Sequence, residues 1–169
     1  MPNISQLNGI SNGFIGVGSD NSTSSTSITQ LNSVSINANT FTANDYISFG
    51  GLFYKTTPSV SNCFFYLYVN SADTLTNAVQ VGTYRSSVND GVVYLNRRML
   101  IKNASGGGTG NSVGTQTISS TSDLISDYSA STTSNLVLDW TKEVWFIAAG
   151  KVANVADTAL FSGFKVFKY

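Results

Sequence analysis

The sequence predicts an all-β protein, a single two-sheet antiparallel jelly-roll sandwich preceded by an extended N-terminal arm. The chain is poor in the residues that usually cover helix surfaces and rich in Thr, Val, Ile, Tyr and Phe. Short strand-like runs alternate with clusters of turn residues, and no stretch has a convincing helical period. Loops of uneven length favour a jelly roll over an up-and-down barrel. An immunoglobulin-type sandwich is the alternative, although its Cys, Trp and Cys spacing is absent.

Length and composition predict one folded domain. The chain has 169 residues, of which 41% are hydrophobic, enough for one core at this size. Ser, Thr and Asn together make up 60 of the 169 residues, but aromatic residues reach 12% and charged residues only 11%. A disordered chain has fewer aromatic and more charged residues, so the polar excess indicates a neutral, well-solvated surface.

The first 32 residues differ from the rest and predict a docking arm, followed by a jelly-roll domain over residues 33–169. Asp20 is the one charged residue in this stretch, and residues 4–11 resemble residues 28–35 at five of eight positions. Two like segments could dock on a neighbouring chain or on the protein's own trimer. The alternative is a frayed terminus joined to a first strand. The apolar residues expected to dock are Ile4, Leu7, Ile10, Ile28 and Leu31.

We expect eight strands, in this order: residues 33–38, 46–55, 62–69, 78–84, 91–103, 135–140, 143–149 and 160–169. Gly50 and Gly51 predict a bulge or bend inside the second strand. Asp90-Gly91 is the favoured type I′ signal, which predicts a hairpin between the fourth and fifth strands. Residues 103–114 and 119–134 are predicted to be long polar loops.

Charge, His and Cys content exclude several classes of function. The chain has nine basic and nine acidic residues and therefore a formal net charge of zero, which argues against nucleic-acid and membrane partners. It has no His and a single Cys, so we expect no His-dependent catalysis, no metal site and no cofactor. There is no signal-peptide pattern and no membrane-length apolar run, so we expect a soluble protein made in a cytosol-like compartment.

Carboxylates are the remaining candidates for chemistry. Asp139 and Glu143 flank a short turn and could form a glycosidase-like pair, but two strand-end charges, one paired with Lys142, explain them better. Asp123 and Asp127 could bind calcium with main-chain oxygens, although no known calcium-loop spacing is present. We therefore predict that the protein is not an enzyme.

The aromatic content predicts self-association, because it exceeds what one small sandwich should need inside. Where both faces of a strand are apolar, a second copy can bury one of them, and a closed ring of three also hides sheet edges. A wide single sandwich and a sugar-binding aromatic platform are the alternatives. The expected subunit-interface residues are Tyr66, Tyr68, Trp145, Phe161, Phe164, Phe167 and Tyr169.

The C-terminal residues carry a family resemblance. The run Glu143-Val144-Trp145, followed after a loop by Phe161-Ser162-Gly163-Phe164, resembles the closing two strands of the globular heads in the complement and tumour-necrosis-factor superfamily. Similar jelly rolls occur in tailed-bacteriophage virions as decoration, head-fibre and tail-tip proteins. The arm segment Ile-Ser-Gln-Leu-Asn-Gly-Ile also resembles Ile-x-x-Val-Asn-Gly-Val segments near phage fibre N-termini.

This resemblance implies a homotrimeric structural protein of a virion, made in the host cytoplasm. We expect a capsid decoration or head-fibre subunit of a tailed phage, which the N-terminal arm attaches to a capsid or other virion protein. The first alternative is the receptor-binding tip of a tail fibre, with host surface glycan as a partner. A polysaccharide-degrading enzyme that uses Asp and Glu is a further alternative.

Overall fold

The protein is an all-β sandwich, as predicted. The computed structural model describes residues 13–18, 20–55, 61–86, 92–102, 109–113 and 133–169, and all regular structure within them is β-strand. These residues contain no helix long and apolar enough to cross a membrane. The strands are β1 (Gly13–Val17), β2 (Asn21–Thr23), β3 (Thr29–Ile36), β4 (Tyr46–Lys55), β5 (Cys63–Asn70), β6 (Val79–Ser86), β7 (Val92–Ile101), β8 (Thr109–Val113), β9 (Thr133–Val137), β10 (Val144–Val152) and β11 (Ala159–Lys168).

The strands form two antiparallel sheets with jelly-roll connectivity. The larger sheet has seven strands in the order β1-β11-β4-β7-β8-β9, with β2 also paired to β11, and the smaller has the order β3-β10-β5-β6. The pairing is nested along the chain: β1 and β2 pair with β11, β3 with β10, β4 with β7, and β5 with β6. This nesting of early strands with late ones is the strand order of a jelly roll.

Three sequence predictions about connections were wrong. β6 and β7 lie in different sheets, so the segment with Asp90-Gly91, itself outside the described residues, joins the sheets and is not the turn of a hairpin. The predicted loop over 103–114 contains β8, whose backbone pairs with β7 and β9. The register shift predicted at Gly50-Gly51 lies on the facing strand, between Ser162 and Lys165 of β11.

The region predicted as an arm contributes to the sandwich from residue 13 onward. β1 and β2 add to the edge of β11, and β3 begins at Thr29, inside the predicted arm. Backbone hydrogen bonds to a neighbouring strand need no apolar side chains. A Gly-, Ser- and Thr-rich tract can therefore form strands that the hydrophobic pattern does not reveal.

Aromatic rings fill the space between the two sheets. Phe53 lies between Phe65 and Phe161, with ring centroids 4.5 Å and 4.2 Å away. At the other end of the sandwich, Phe41 packs edge-on against Trp140 at 5.6 Å. The largest fully buried side chains are Trp140, Tyr84, Phe49, Phe53, Phe65, Phe146, Phe161, Phe164, Ile36, Ile47 and Leu67. One protomer therefore buries most of its described aromatic side chains by itself.

Two glycines shape the contact between β4 and β11. A Cβ on Gly51 would lie 2.6 Å from the Phe161 ring and 2.8 Å from the Ser162 carbonyl oxygen, so only glycine lets the two strands pack this closely. Gly163 has φ +64°, the left-handed conformation that creates the bulge in β11. This bulge lets Phe161 and Phe164 both face the core, although they are three residues apart.

Candidate functional site

The residues predicted to form a subunit interface lie in three different places. Phe161 and Phe164 are 1% and 0% exposed in the core, so the protomer itself covers them. Tyr66, Tyr68 and Trp145 lie together on the outer face of the four-stranded sheet. Phe167 and Tyr169 alternate with core residues of β11 and lie on the outer face of the seven-stranded sheet. The structure therefore splits the predicted interface between one core and two surfaces.

A loop of the same chain covers much of the outer face of the four-stranded sheet. Tyr68, Ile147 and Ala149 are buried there, with Leu75 of the β5–β6 connection packed on them. Because the protomer supplies its own cover, the prediction that a second copy must bury this aromatic face loses its basis for these residues.

The covering loop, residues 71–78, is held at both ends by hydrogen bonds. The buried Asn70 side-chain nitrogen donates to the carbonyls of Thr74 at 2.7 Å and Thr76 at 3.0 Å. Asp73 accepts a hydrogen bond from Gln30 of β3 at 2.5 Å, which ties the loop to the far side of β10. These contacts hold Leu75 against the sheet.

The outer face of the seven-stranded sheet carries the largest group of exposed apolar residues in the described part of the chain. Tyr46, Leu52 and Tyr169 are 55%, 40% and 52% exposed. Tyr46 and Tyr169 are adjacent, with the Tyr169 amide donating to the Tyr46 carbonyl at 2.8 Å. Phe167 is half-buried and pairs with the small, buried Ser48. We call Tyr46, Ser48, Leu52, Phe167 and Tyr169 the β4–β11 face.

The end of this face near the C-terminus is fixed by an ion pair and contains a shallow cavity. Lys168 lies 2.7 Å from the Asp45 carboxylate and donates to the Thr40 carbonyl at 2.8 Å. The cavity, of about 200 Å³, is lined by Tyr46, Ile47, Arg98 and Tyr169. Arg98 is exposed whereas its neighbour Arg97 is buried, so the two arginines face opposite sides of the sheet.

The predicted shell-docking residues are divided by burial. Ile4, Leu7 and Ile10 lie outside the described residues. Ile28 is 42% exposed and remains available for a contact, whereas Leu31 is 2% exposed and belongs to the core of the sandwich. Leu31 is therefore apolar because it is a core position of β3, and its place in the segment that resembles residues 4–11 is not evidence for docking. Docking through Ile4, Leu7, Ile10 and Ile28 stays a prediction.

A buried polar cluster, which no sequence pattern predicts, closes one end of the sandwich. Asp157, fully buried in the β10–β11 turn, accepts hydrogen bonds from the Ser61 amide at 2.8 Å and the Ser61 hydroxyl at 2.6 Å. The buried Lys55 ammonium donates to the Ser61 carbonyl at 3.3 Å. A lone Lys at a strand end and a lone Asp in a turn, separated by a hundred residues, have no shared sequence pattern.

Cys63 lies beside this cluster and is poorly suited to nucleophilic chemistry. Its side chain is fully buried, and burial raises the pKa of its thiol to about 11, more than the nearby Lys55 charge and the Ser86 hydrogen bond lower it. A thiol must ionise to act as a nucleophile. Burial therefore makes Cys63 an unreactive thiol in the folded protein.

The Asp139 carboxylate, one half of the candidate catalytic pair, is used in a local turn. It accepts hydrogen bonds from the Thr141 hydroxyl at 2.5 Å and the Thr141 amide at 3.1 Å, and it lies 3.7 Å from the Lys142 ammonium. The Thr141 hydroxyl bond is the main cause that lowers the pKa of Asp139. An acid with a lowered pKa is ionised at neutral pH and is a poor proton donor. The Lys142 contact confirms the strand-end interpretation.

No metal site is evident in the part of the chain that the structure describes. Within the described ranges no three Cys, Asp or Glu side chains come together in a way that could hold a metal ion. Asp123 and Asp127, the candidate calcium ligands, lie outside those ranges.

Among the surfaces that the structure describes, the β4–β11 face is the best candidate for contact with a partner. Comparisons of the chain with protein-family models, with curated proteins and with solved structures found no match.

Proposed function

We propose that this chain is a non-enzymatic structural protein that forms a homotrimer through its β4–β11 face. The observation that carries the proposal is the exposure of Tyr46 and Tyr169 beside the half-buried Phe167, with Leu52 exposed on the same sheet face four residues beyond Ser48. Scattered exposed apolar residues are normal on a soluble protein, but a contiguous group of large ones is typical of an interface.

The size of the face suits association of identical copies. The three ten-residue strands β4, β7 and β11 span about 33 Å and the three five-residue strands β1, β8 and β9 about 17 Å, so at a spacing of about 4.8 Å the outer face of the whole sheet covers on the order of 700 Å². A standard interface buries about 800 Å² on each partner. The formal net charge of zero means that copies do not repel one another over a distance.

A closed ring of three is the arrangement that we propose. In a closed ring of three, each subunit contacts its two neighbours through two different patches, so one end of the β4–β11 face meets the other end on the next subunit. The buried Ser48 and the glycine at position 50 make the centre of the face flat. Larger side chains at Tyr46 and Leu52 then project at either end, where they can fit against a neighbouring subunit.

We place this trimer in a virion, as a capsid decoration or head-fibre subunit of a tailed phage. The resemblance of the C-terminal strands and of the arm segment supports this placement. Ile28 of the predicted arm is 42% exposed and can contact a shell, and the other expected docking residues, Ile4, Leu7 and Ile10, lie outside the described residues. The receptor-binding tip of a tail fibre is the second placement for the same trimer.

A charge placed on the β4–β11 face tests the interface. We expect Leu52→Asp to convert the trimer to monomer, measured by light scattering during size-exclusion chromatography. Val155 is 69% exposed in the β10–β11 turn, away from this face, so Val155→Asp is the matched control and should remain trimeric. If the Leu52→Asp and Val155→Asp proteins had the same particle mass, the β4–β11 face would not be the trimer interface.

The arm is tested by a short deletion. Because β1 begins at Gly13, removal of residues 1–12 leaves all eleven strands intact, whereas removal of residues 1–32 would delete two strands and part of β3. We expect the short deletion to keep the trimer and to lose attachment to purified capsids in a co-sedimentation assay. Unchanged attachment would contradict the docking role of the arm.

A further inference from the structure

The β4–β11 face has, at one end, an exposed leucine that stands clear of neighbours on two sides. Leu52 is 40% exposed. The outward position before it on β4 is Gly50, which has no side chain, and the residue paired with it on β11 is Ser162, which has a small one. Because these neighbours are small, the Leu52 side chain projects from the face as an apolar knob.

The other end of the same face contains the shallow cavity of about 200 Å³ that is lined by Tyr46, Ile47, Arg98 and Tyr169. Ile47 is fully buried and forms the floor of this cavity, whereas Tyr46 and Tyr169 are exposed and form its wall. A buried apolar cavity of about 150 Å³ is large enough to hold a benzene molecule. The cavity is therefore large enough for the four carbons of a leucine side chain.

The wall of the cavity is held in place by contacts within the protomer. The Tyr169 amide donates to the Tyr46 carbonyl at 2.8 Å, and the Tyr46 amide donates to the Tyr169 carbonyl at 3.4 Å. The residues beside them in the chain, Asp45 and Lys168, form the ion pair at 2.7 Å. A site that is already ordered loses little conformational freedom when a partner binds, which favours association.

The knob and the cavity cannot meet within one protomer. Tyr46 and Leu52 are six residues apart on β4, which is about 20 Å at about 3.4 Å per residue. Outside the cavity, the other large exposed apolar residues in the described part of the chain are Ile28, just before β3, and Val155, in the β10–β11 turn. Neither lies on this face, so Leu52 of a second copy is the apolar group that the face itself supplies to the cavity.

We propose that Leu52 of the partner subunit fills the cavity between Tyr46 and Tyr169. This inference rests on the proposed self-association through the β4–β11 face, and it names the side chain that each copy contributes. Because the knob and the cavity lie at different ends of the face, every subunit offers one to each of its two neighbours. Such a contact between unlike patches is the kind that a closed ring of three requires.

Cross-linking of the full chain tests this contact. A double variant, Leu52→Cys with Tyr169→Cys, is treated at neutral pH with a short bismaleimide, and the buried, unreactive Cys63 does not compete. Within one chain the two introduced thiols are about 20 Å apart, too far for this reagent, so each link joins two subunits. We expect covalent trimers on a denaturing gel. We expect monomers from each single variant and from the control Val155→Cys with Tyr169→Cys.

The outcomes separate this contact from the trimer itself. A particle of three times the 18.0 kDa chain mass that forms no cross-link would overturn the contact of Leu52 with the cavity and leave the trimer intact. A monomer at every concentration would overturn both. Covalent dimers without trimers would support the contact but replace the ring by a two-fold pair. Equal cross-linking of the Val155 control would overturn the contact.

A double-mutant cycle then tests whether the two side chains touch. Leu52→Ala and Tyr169→Ala should each weaken association about tenfold per subunit contact, and both positions are exposed, so the variants should fold. The double variant should be weakened much less than about a hundredfold, because the second change removes a contact that the first has already broken. Leu52→Met keeps the apolar volume and should associate like the unmodified chain. A full hundredfold loss in the double variant would overturn the contact.

Discussion

At the scale of single residues, burial decides what the chemically reactive groups can do. Lys55, Cys63 and Asp157 would be candidates for catalysis if they lined a cleft, but each is buried at the end of the sandwich. Their hydrogen bonds connect β4, the residues before β5 and the β10–β11 turn. Breaking one partner of a buried charged network is costly because the remaining charge loses its compensation.

Cys63 is protected by burial in the folded protein. Its thiol should react very slowly with a disulfide reagent at pH 8 in the folded protein, because at a pKa of about 11 roughly one thiol in a thousand is ionised. Unfolding in guanidinium chloride should restore ordinary reactivity, and the same reagent measures both rates. A native rate within tenfold of the unfolded rate would show that Cys63 is accessible.

Cys63 also gives a pH dependence of stability. Because the folded state holds the thiol proton more tightly, its contribution to stability is present below pH 9.0 and is lost as pH rises toward about 11. We expect the free energy of unfolding, measured with urea, to fall over this window. The free energy of unfolding of the Cys63→Ala protein should fall less over the same pH window. Parallel pH profiles for the two proteins would contradict this expectation.

At the scale of elements, the contact of β4 with β11 depends on a missing side chain. Gly51→Ala should destabilise the fold by about 1–3 kcal/mol, the usual cost of forcing extra volume into a packed core. The new Cβ would meet the Phe161 ring and the Ser162 carbonyl. Urea unfolding measures the change.

Gly163→Ala is the comparison for that prediction. A Cβ at this position has no atom within 4 Å, so its cost of about 1–2 kcal/mol comes from the left-handed backbone alone. Gly163→Asn should recover part of the loss, since Asn tolerates φ > 0, whereas Gly51→Asn should not. The reverse order would contradict the assignment of crowding to Gly51 and backbone strain to Gly163.

The covering loop is held in place by the side chain of Asn70. Asn70→Ala removes two hydrogen bonds to the carbonyls of Thr74 and Thr76, each worth about 1 kcal/mol. We expect faster hydrogen exchange at residues 74–78 and greater exposure of the cluster around Tyr68. Ser35→Ala, an exposed change on the same sheet, is the control and should leave the exchange of that loop unchanged.

For the whole molecule, the hydrophobic pattern predicted the sandwich and most of its long strands. The sequence signals for these strands are strong because core packing demands apolar side chains at their inward-facing positions. The signals are the alternation over β3, the aromatic runs in β4 and β5, and the phenylalanines of β11. The short strands β1, β2 and β8 were missed, because backbone hydrogen bonds between strands make little demand on side chains.

The surfaces were less predictable than the core. Phe161 and Phe164 were assigned to an interface because alternation cannot place both inside, and the bulge at Gly163 changes that rule locally. The covering loop of residues 71–78 is polar apart from its Ala residues and Leu75, so its role over Tyr68 has no sequence signal. Tyr46 and Leu52 are exposed but were not among the predicted interface residues. Alternation along β4 shows that they face outward only when it is known which side of the strand faces the core.

Trimer formation depends on the β4–β11 face, since the protomer covers its other aromatic side chains largely by itself. Sedimentation equilibrium of the unmodified chain at micromolar concentration measures its association without any variant. Self-association through this face predicts a particle of three times the 18.0 kDa chain mass. A single species of 18.0 kDa at every concentration would contradict it.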